Sequence, residues 1–70
     1  MNKYEIIINE KYLYIKNYIK IINISYSKIT IEIDKATIFI SGSNLIISKM
    51  DKYDILINGN VKGINFNYEK

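Results

Sequence analysis

The chain has 70 residues, a formal net charge of +3, and no Cys, His, Pro or Trp. A domain this small buries only about 60% of the surface its unfolded chain exposes, so its stability is modest or shared with a partner. Without Cys there is neither a disulfide staple nor a thiolate zinc site, and without His the commonest catalytic base and metal ligand are gone.

All ten positive charges are Lys, spread along the chain rather than clustered. The abundance of Ile, Lys, Asn and Tyr, all with A/T-rich codons, reads as base composition as much as phosphate binding. The dispersed lysines read as solvated surface. No apolar run approaches the roughly 20 residues of a membrane span, and no signal peptide precedes the first strand, so the expectation is one domain over residues 1–70 that stays inside the cell.

Apolar residues alternate with polar ones wherever a pattern is clear, and no segment carries a helical period. Tyr4 to Ile8 and Tyr12 to Lys16 form a hairpin around Glu10-Lys11 that sets Ile8 against Leu13, Ile6 against Ile15, Ile7 against Tyr14 and Glu5 against Lys16. Glu10-Lys11 is poor chemistry for a tight turn, and a longer loop from Asn9 is the alternative. Tyr18 to Ser25 is the third strand; Ile19 and Ile21 share one phase, Ile22 and Ile24 the other, and a bulge near Ile21-Ile22 reconciles them.

From Lys28 the pattern sharpens. Ile29, Ile31 and Ile33 alternate with Thr30, Glu32 and Asp34, and a loop at Asp34-Lys35 pairs Ile33 with Ala36, Ile31 with Ile38 and Ile29 with Ile40. Gly42-Ser43 suits a type II′ turn with Gly42 at positive φ, which pairs Ile40 with Leu45 and Ile38 with Ile47, Asn44 capping the turn. A loop at Met50-Asp51-Lys52 sets Ile47 against Ile55 and Leu45 against Ile57. A last turn at Gly59-Asn60 sets Ile55 against Ile64 and Tyr53 against Phe66. Lys62 then falls opposite Ile57 and snorkels outward at the sheet's edge.

The predicted architecture is all-β: a small antiparallel meander of five to eight strands, regular over residues 28–67, as a single sheet folded over or a small sandwich or roll. The first three strands fold over this meander or extend it. The same registers align Thr30, Phe39, Ile46, Leu56 and Gly63 on the outer face. Phe39, Ile46 and Leu56 need a cover, either the segment Tyr4 to Ser25 or another chain.

Motifs that would carry chemistry are weak. Gly42-Ser43-Asn44 resembles a phosphate-cradling loop but lacks the following Lys-Ser/Thr and opens a strand rather than a helix. Asp51 and Asp54 are the nearest acidic pair, yet Asp51 reads as a turn residue and Asp54 as solvent-facing. No catalytic, cofactor-binding or metal-ligating residue is assigned, no cofactor is expected, and the chain is read as non-enzymatic. Tyr12, Tyr14, Tyr18 and Tyr26 with the lysines leave a small nucleic-acid-binding β-barrel as the rival reading, marked by a steep loss of binding with added salt. No nucleic acid is expected.

The second half reads as Gly42-x-Asn44-Leu45-x-Ile47-x-x-Met50-x-x-x-Asp54-Ile55-x-Ile57-x-Gly59-x-Val61-x-x-Ile64-x-Phe66. This resembles the YabP/YqfC family of sporulation proteins of endospore-forming bacteria, and its short YqfC-like branch in particular, over residues 17–67. The pattern consists of turn and core positions and contains no catalytic residue. The resemblance implies a protein made during sporulation, on the mother-cell side and peripheral to the forespore membrane or spore coat. It also implies work in forespore development and in coat or cortex assembly. The partner it implies is an integral membrane protein of the YqfD type, the chain having no transmembrane segment of its own; self-association is a further expectation.

Overall fold

Alternating Ile and polar residues, unbroken by Pro, form six strands in the computed structural model, which describes residues 3–69. They are β1 (Glu5–Ile8), β2 (Leu13–Lys16), β3 (Lys20–Ile24), β4 (Lys28–Ile33), β5 (Ala36–Met50) and β6 (Asp54–Tyr68). All pairings are antiparallel within one open sheet of order β1-β2-β6-β5-β4-β3. The order reads alike from either edge: a short hairpin, two long strands, a short hairpin. β2 lies along the first residues of β6 and β4 along the first residues of β5.

The short hairpins take the expected registers. Ile8 pairs with Leu13 and Ile6 with Ile15, while Ile33 pairs with Ala36, Ile31 with Ile38 and Ile29 with Ile40. The first turn is the longer loop: Asn9 N–H donates to the Tyr12 carbonyl (3.1 Å), and the Asn9 side-chain oxygen accepts from the Lys11 and Tyr12 amides. The third strand carries its bulge between Ile21 and Asn23.

The second half departs from the expected meander of five strands. Residues 28–68 form three strands, because neither Gly42-Ser43 nor Gly59-Asn60 is a hairpin turn. Both lie inside fifteen-residue strands, with Gly42 opposite Val61 and Ser43 opposite Asn60. Beyond the Asp34-Lys35 turn the chain reverses once more, between Met50 and Asp54, where Met50 pairs with Ile55 and Ile47 with Ile57. The pairings Ile40–Leu45, Ile38–Ile47, Ile47–Ile55, Leu45–Ile57, Ile55–Ile64 and Tyr53–Phe66 are therefore replaced. Ile40 meets Ile64, and Ile38 meets Phe66. Lys62 does not oppose Ile57; it is the extra, exposed residue of a bulge between the pairs Ser41–Gly63 and Gly42–Val61.

In place of these two turns the strands bend. A straight strand of fifteen residues would span about 50 Å, yet the longest dimension of the molecule is 31 Å. Opposite Gly59, β5 holds two residues, Asn44 and Leu45, between the pairs Ser43–Asn60 and Ile46–Asn58. Within the bend the positive φ angles fall on Asn44 (53°) and Gly59 (124°), not on Gly42. Gly42 is needed for space instead. A β-carbon there would collide with the Asn60 carbonyl oxygen, and one on Gly59 with the Asn44 carbonyl oxygen. The two strands bend together where each glycine admits the other strand's backbone.

The bend turns the sheet onto itself. Leu13, Ile15, Ile55 and Ile57 from one half and Ile29, Ile31, Ile33, Ile38 and Ile40 from the other are at most 1% exposed and form one cluster. No described residue is helical, so only sheet covers sheet. β2 and β4 contribute buried side chains to the same cluster without close backbone approach, as facing layers about 10 Å apart do. Each fully buried aliphatic side chain contributes about 1.5–3 kcal/mol.

Candidate interaction surface

The outer faces carry the apolar residues that the core does not use. Phe39, Ile46 and Leu56, expected in one row, do not share one. Phe39 lies between Thr30 of β4 and Asn65 of β6, and Leu56 lies between Tyr14 of β2 and Lys49 of β5. Ile46 pairs with Asn58, whose side chain also engages Ser48 Oγ and donates to the Lys11 carbonyl (2.9 Å). The bend at Asn44 and Gly59 separates Phe39 on one layer from Leu56 on the other. The segment Tyr4 to Ser25 covers neither Phe39 nor Ile46, which remain 43% and 54% exposed. Its strands add to the sheet edges instead.

Ile46 belongs to a groove that sequence reasoning did not find. Ile24, Tyr26, Leu45, Ile46 and Ile47 line a shallow concavity of about 520 Å³ between the end of β3 and the second half of β5. The loop from β3 to β4 builds it: the Ser27 carbonyl accepts from Gly42 N–H (3.0 Å) and the Tyr26 carbonyl from Leu45 N–H (2.9 Å). The available signal was the apolar pair Ile24 and Tyr26 flanking Ser25, a residue whose hydroxyl folds back onto Ser27 and Lys28.

A second concavity lies over the β5–β6 turn, lined by Tyr14, Lys49, Asp51, Asp54 and Leu56. Asp51 Oδ1 accepts from the Tyr53 and Asp54 amides (3.0 and 2.9 Å), and the Asp51 amide donates to the Asp54 carbonyl (2.9 Å). These backbone donors, Asp54 first and Tyr53 next, hold the Asp51 carboxyl below the usual carboxylate value. The Tyr14 hydroxyl donates to Asp54 Oδ2 (2.6 Å) and the Tyr18 hydroxyl to the Asp51 carbonyl (2.9 Å). Tyr18 N–H also donates to the Tyr53 carbonyl (3.1 Å).

Tyr18, in the segment after β2, thus clamps the turn, while Tyr14 of β2 holds the first residue of β6. Five of the lysines are spread over five strands, β2 to β6 carrying one each. Among the described residues no three acidic side chains gather with metal-ligand geometry, and no helix is long and apolar enough to cross a membrane.

These features define a small all-β protein, one six-stranded antiparallel sheet folded about two glycines, with apolar side chains displayed on its surface. The family model of the YabP family matches residues 2–70, and the chain belongs to that family. The match takes in β1 and β2 as well as the second half. No curated protein and no solved structure matches the chain.

Proposed function

We propose that the chain is a non-enzymatic interaction protein of sporulation, acting in forespore or spore-envelope development through its sheet surfaces. The observation that carries this reading is membership of the YabP family over residues 2–70. The interaction part draws support from Phe39 and Ile46, large apolar side chains 43% and 54% exposed. In this reading the protein works on the mother-cell side, and a YqfD-like membrane protein provides contact with the forespore membrane or coat.

Deleting the gene in its native host should lower the yield of heat-resistant spores and leave vegetative growth unchanged. Complementation with Phe39→Asp together with Ile46→Asp should restore the folded protein but not the spores. A deletion strain that sporulates at the wild-type frequency would overturn the sporulation reading. Full rescue by the double variant would overturn the role given to this surface.

A further inference from the structure

An open sheet leaves backbone donors and acceptors unpaired along its edges, and proteins blunt such edges with charge, bulges or shortness. Four edge segments exist here, and three are blunted. β1 has four residues and carries Glu5. β3 carries Lys20 and a bulge between Ile21 and Asn23. The second half of β5 has a bulge between Ile47 and Lys49.

The second half of β6 is different. β2 pairs only with Asp54 to Ile57, so beyond Val61 the strand has β5 on one side and, among the described residues, nothing on the other. From Gly63 to Tyr68 it pairs with β5 over six consecutive residues without a bulge, and this stretch carries no charge and no Pro. The charged residues near it, Lys62 in the bulge and Glu69, lie before and after it. A flat, uncharged edge of six residues is a template for strand addition.

Ile64, Phe66 and Tyr68 pair with Ile40, Ile38 and Ala36, each 1% exposed, and so stand on the core-facing side. Phe66 and Tyr68 nevertheless stay 39% and 62% exposed, stacked on each other with ring centres 5.8 Å apart. Asn65 and Asn67 stand on the outer side, opposite Phe39 and Thr37. The stretch Ile64-Asn65-Phe66-Asn67-Tyr68 therefore has the same polarity read in either direction.

We propose that this edge pairs antiparallel with the same edge of a second copy, about a twofold axis at Phe66. Phe66 then meets its own counterpart, Ile64 meets the second copy's Tyr68, and Asn65 meets the second copy's Asn67. Apolar pairs fall on the core side and amide pairs on the outer side. A twofold interface requires such self-complementarity. Two copies, each of net charge +3, meet here along five residues, Ile64 to Tyr68, that carry no charge. The two folded sheets become one continuous sheet, and the exposed faces of Phe66 and Tyr68 gain neighbours. This pairing gives one edge an occupant and rests on strand geometry, independently of the sporulation reading.

Sedimentation of the wild type across a concentration series should show a reversible dimer. Asn65→Lys with Asn67→Lys, and separately Asn65→Glu with Asn67→Glu, change exposed outer-face residues and should leave the circular dichroism spectrum and melting temperature near wild type. Each double variant should dimerise roughly tenfold more weakly, because like charges then stand directly opposite. Mixing the two should restore a one-to-one heterodimer. Hydrogen exchange at high and low protein concentration should show added protection within residues 63–68. A wild type that remains monomeric at its highest soluble concentration overturns the proposal. So does a dimer indifferent to both charge pairs, or one whose protection falls on β1 or β3. A failed dimer would leave the spore phenotype as it stands, so the two readings are tested apart.

Discussion

The Tyr14 hydroxyl donates a 2.6 Å hydrogen bond to the Asp54 carboxylate, tying β2 diagonally to the first residue of β6. That bond, then burial, then the negative charges of Asp54, Asp51 and Glu5 raise the Tyr14 phenol from 10.0 to about 12. A raised value means that folding favours the protonated phenol. The stability it contributes is complete below the unfolded value of 10.0 and is lost as pH climbs toward 12. Melting temperatures of wild type and Tyr14→Phe should therefore differ at neutral pH and converge above pH 12. A constant difference across that range would show that the hydrogen bond does not control the titration.

The glycines at the bend leave no room for a β-carbon. Gly59→Ala places a side chain at φ 124° against the Asn44 carbonyl and should cost about 1–3 kcal/mol. Gly42→Ala should cost about 1–3 kcal/mol or more, because the Asn60 carbonyl is backbone and cannot swing aside. Gly42→Asn should be no milder, since the obstacle is the β-carbon itself and not a left-handed conformation. Urea unfolding of the three variants measures these costs. A Gly42→Asn protein as stable as wild type would contradict the close approach of β5 and β6.

Inner and outer faces should respond differently to truncation. Ile31→Ala and Ile57→Ala empty sites that are fully buried and should each cost about 2–5 kcal/mol. Phe39→Ala and Ile46→Ala remove side chains 43% and 54% exposed and should each cost about 1 kcal/mol or less. Leu56→Lys should remain folded, because Leu56 stands on the outer face beside Tyr14 and Lys49 with an open route for the ammonium group. Equal losses at Ile57 and Phe39 would mean that both faces are buried in the folded protein.

The short hairpins were legible because a register survives changes at a loop as long as the side-chain phase is kept. Asn9 lengthened the first loop without disturbing Ile8 opposite Leu13. The bend was illegible because Gly-Ser and Gly-Asn serve a hairpin and a sharply bent strand equally well at the local level. Gly42 and Gly59 flank the turn at Asp51 to Tyr53, one before it and one after. That placement belongs to a coordinated bend in one long hairpin, and the charge of Lys62 set against Ile57 was the warning that the shorter hairpins were wrong. The outer row failed for the same reason: Phe39 and Leu56 stand on opposite sides of the bend. The groove at Ile24 and Tyr26 needed the contact of the β3–β4 loop with Gly42 and Leu45, which no local pattern encodes.

The sheet reads alike from either edge, but its two halves differ in how far apart in the chain their neighbouring strands lie. β3 to β6 follow one another through short connections. Setting β2 beside β6 requires Lys16 to find Asp54, a closure costing about 2 kcal/mol more chain entropy than a three-residue turn. Refolding followed by pulse-labelled hydrogen exchange should protect the amides of β4 and β5 before those of β2, and simultaneous protection would refute this order. The architecture is symmetric and the route to it should not be: β1 and β2 are expected to close the fold last, leaving the first residues of β6 uncovered until they do.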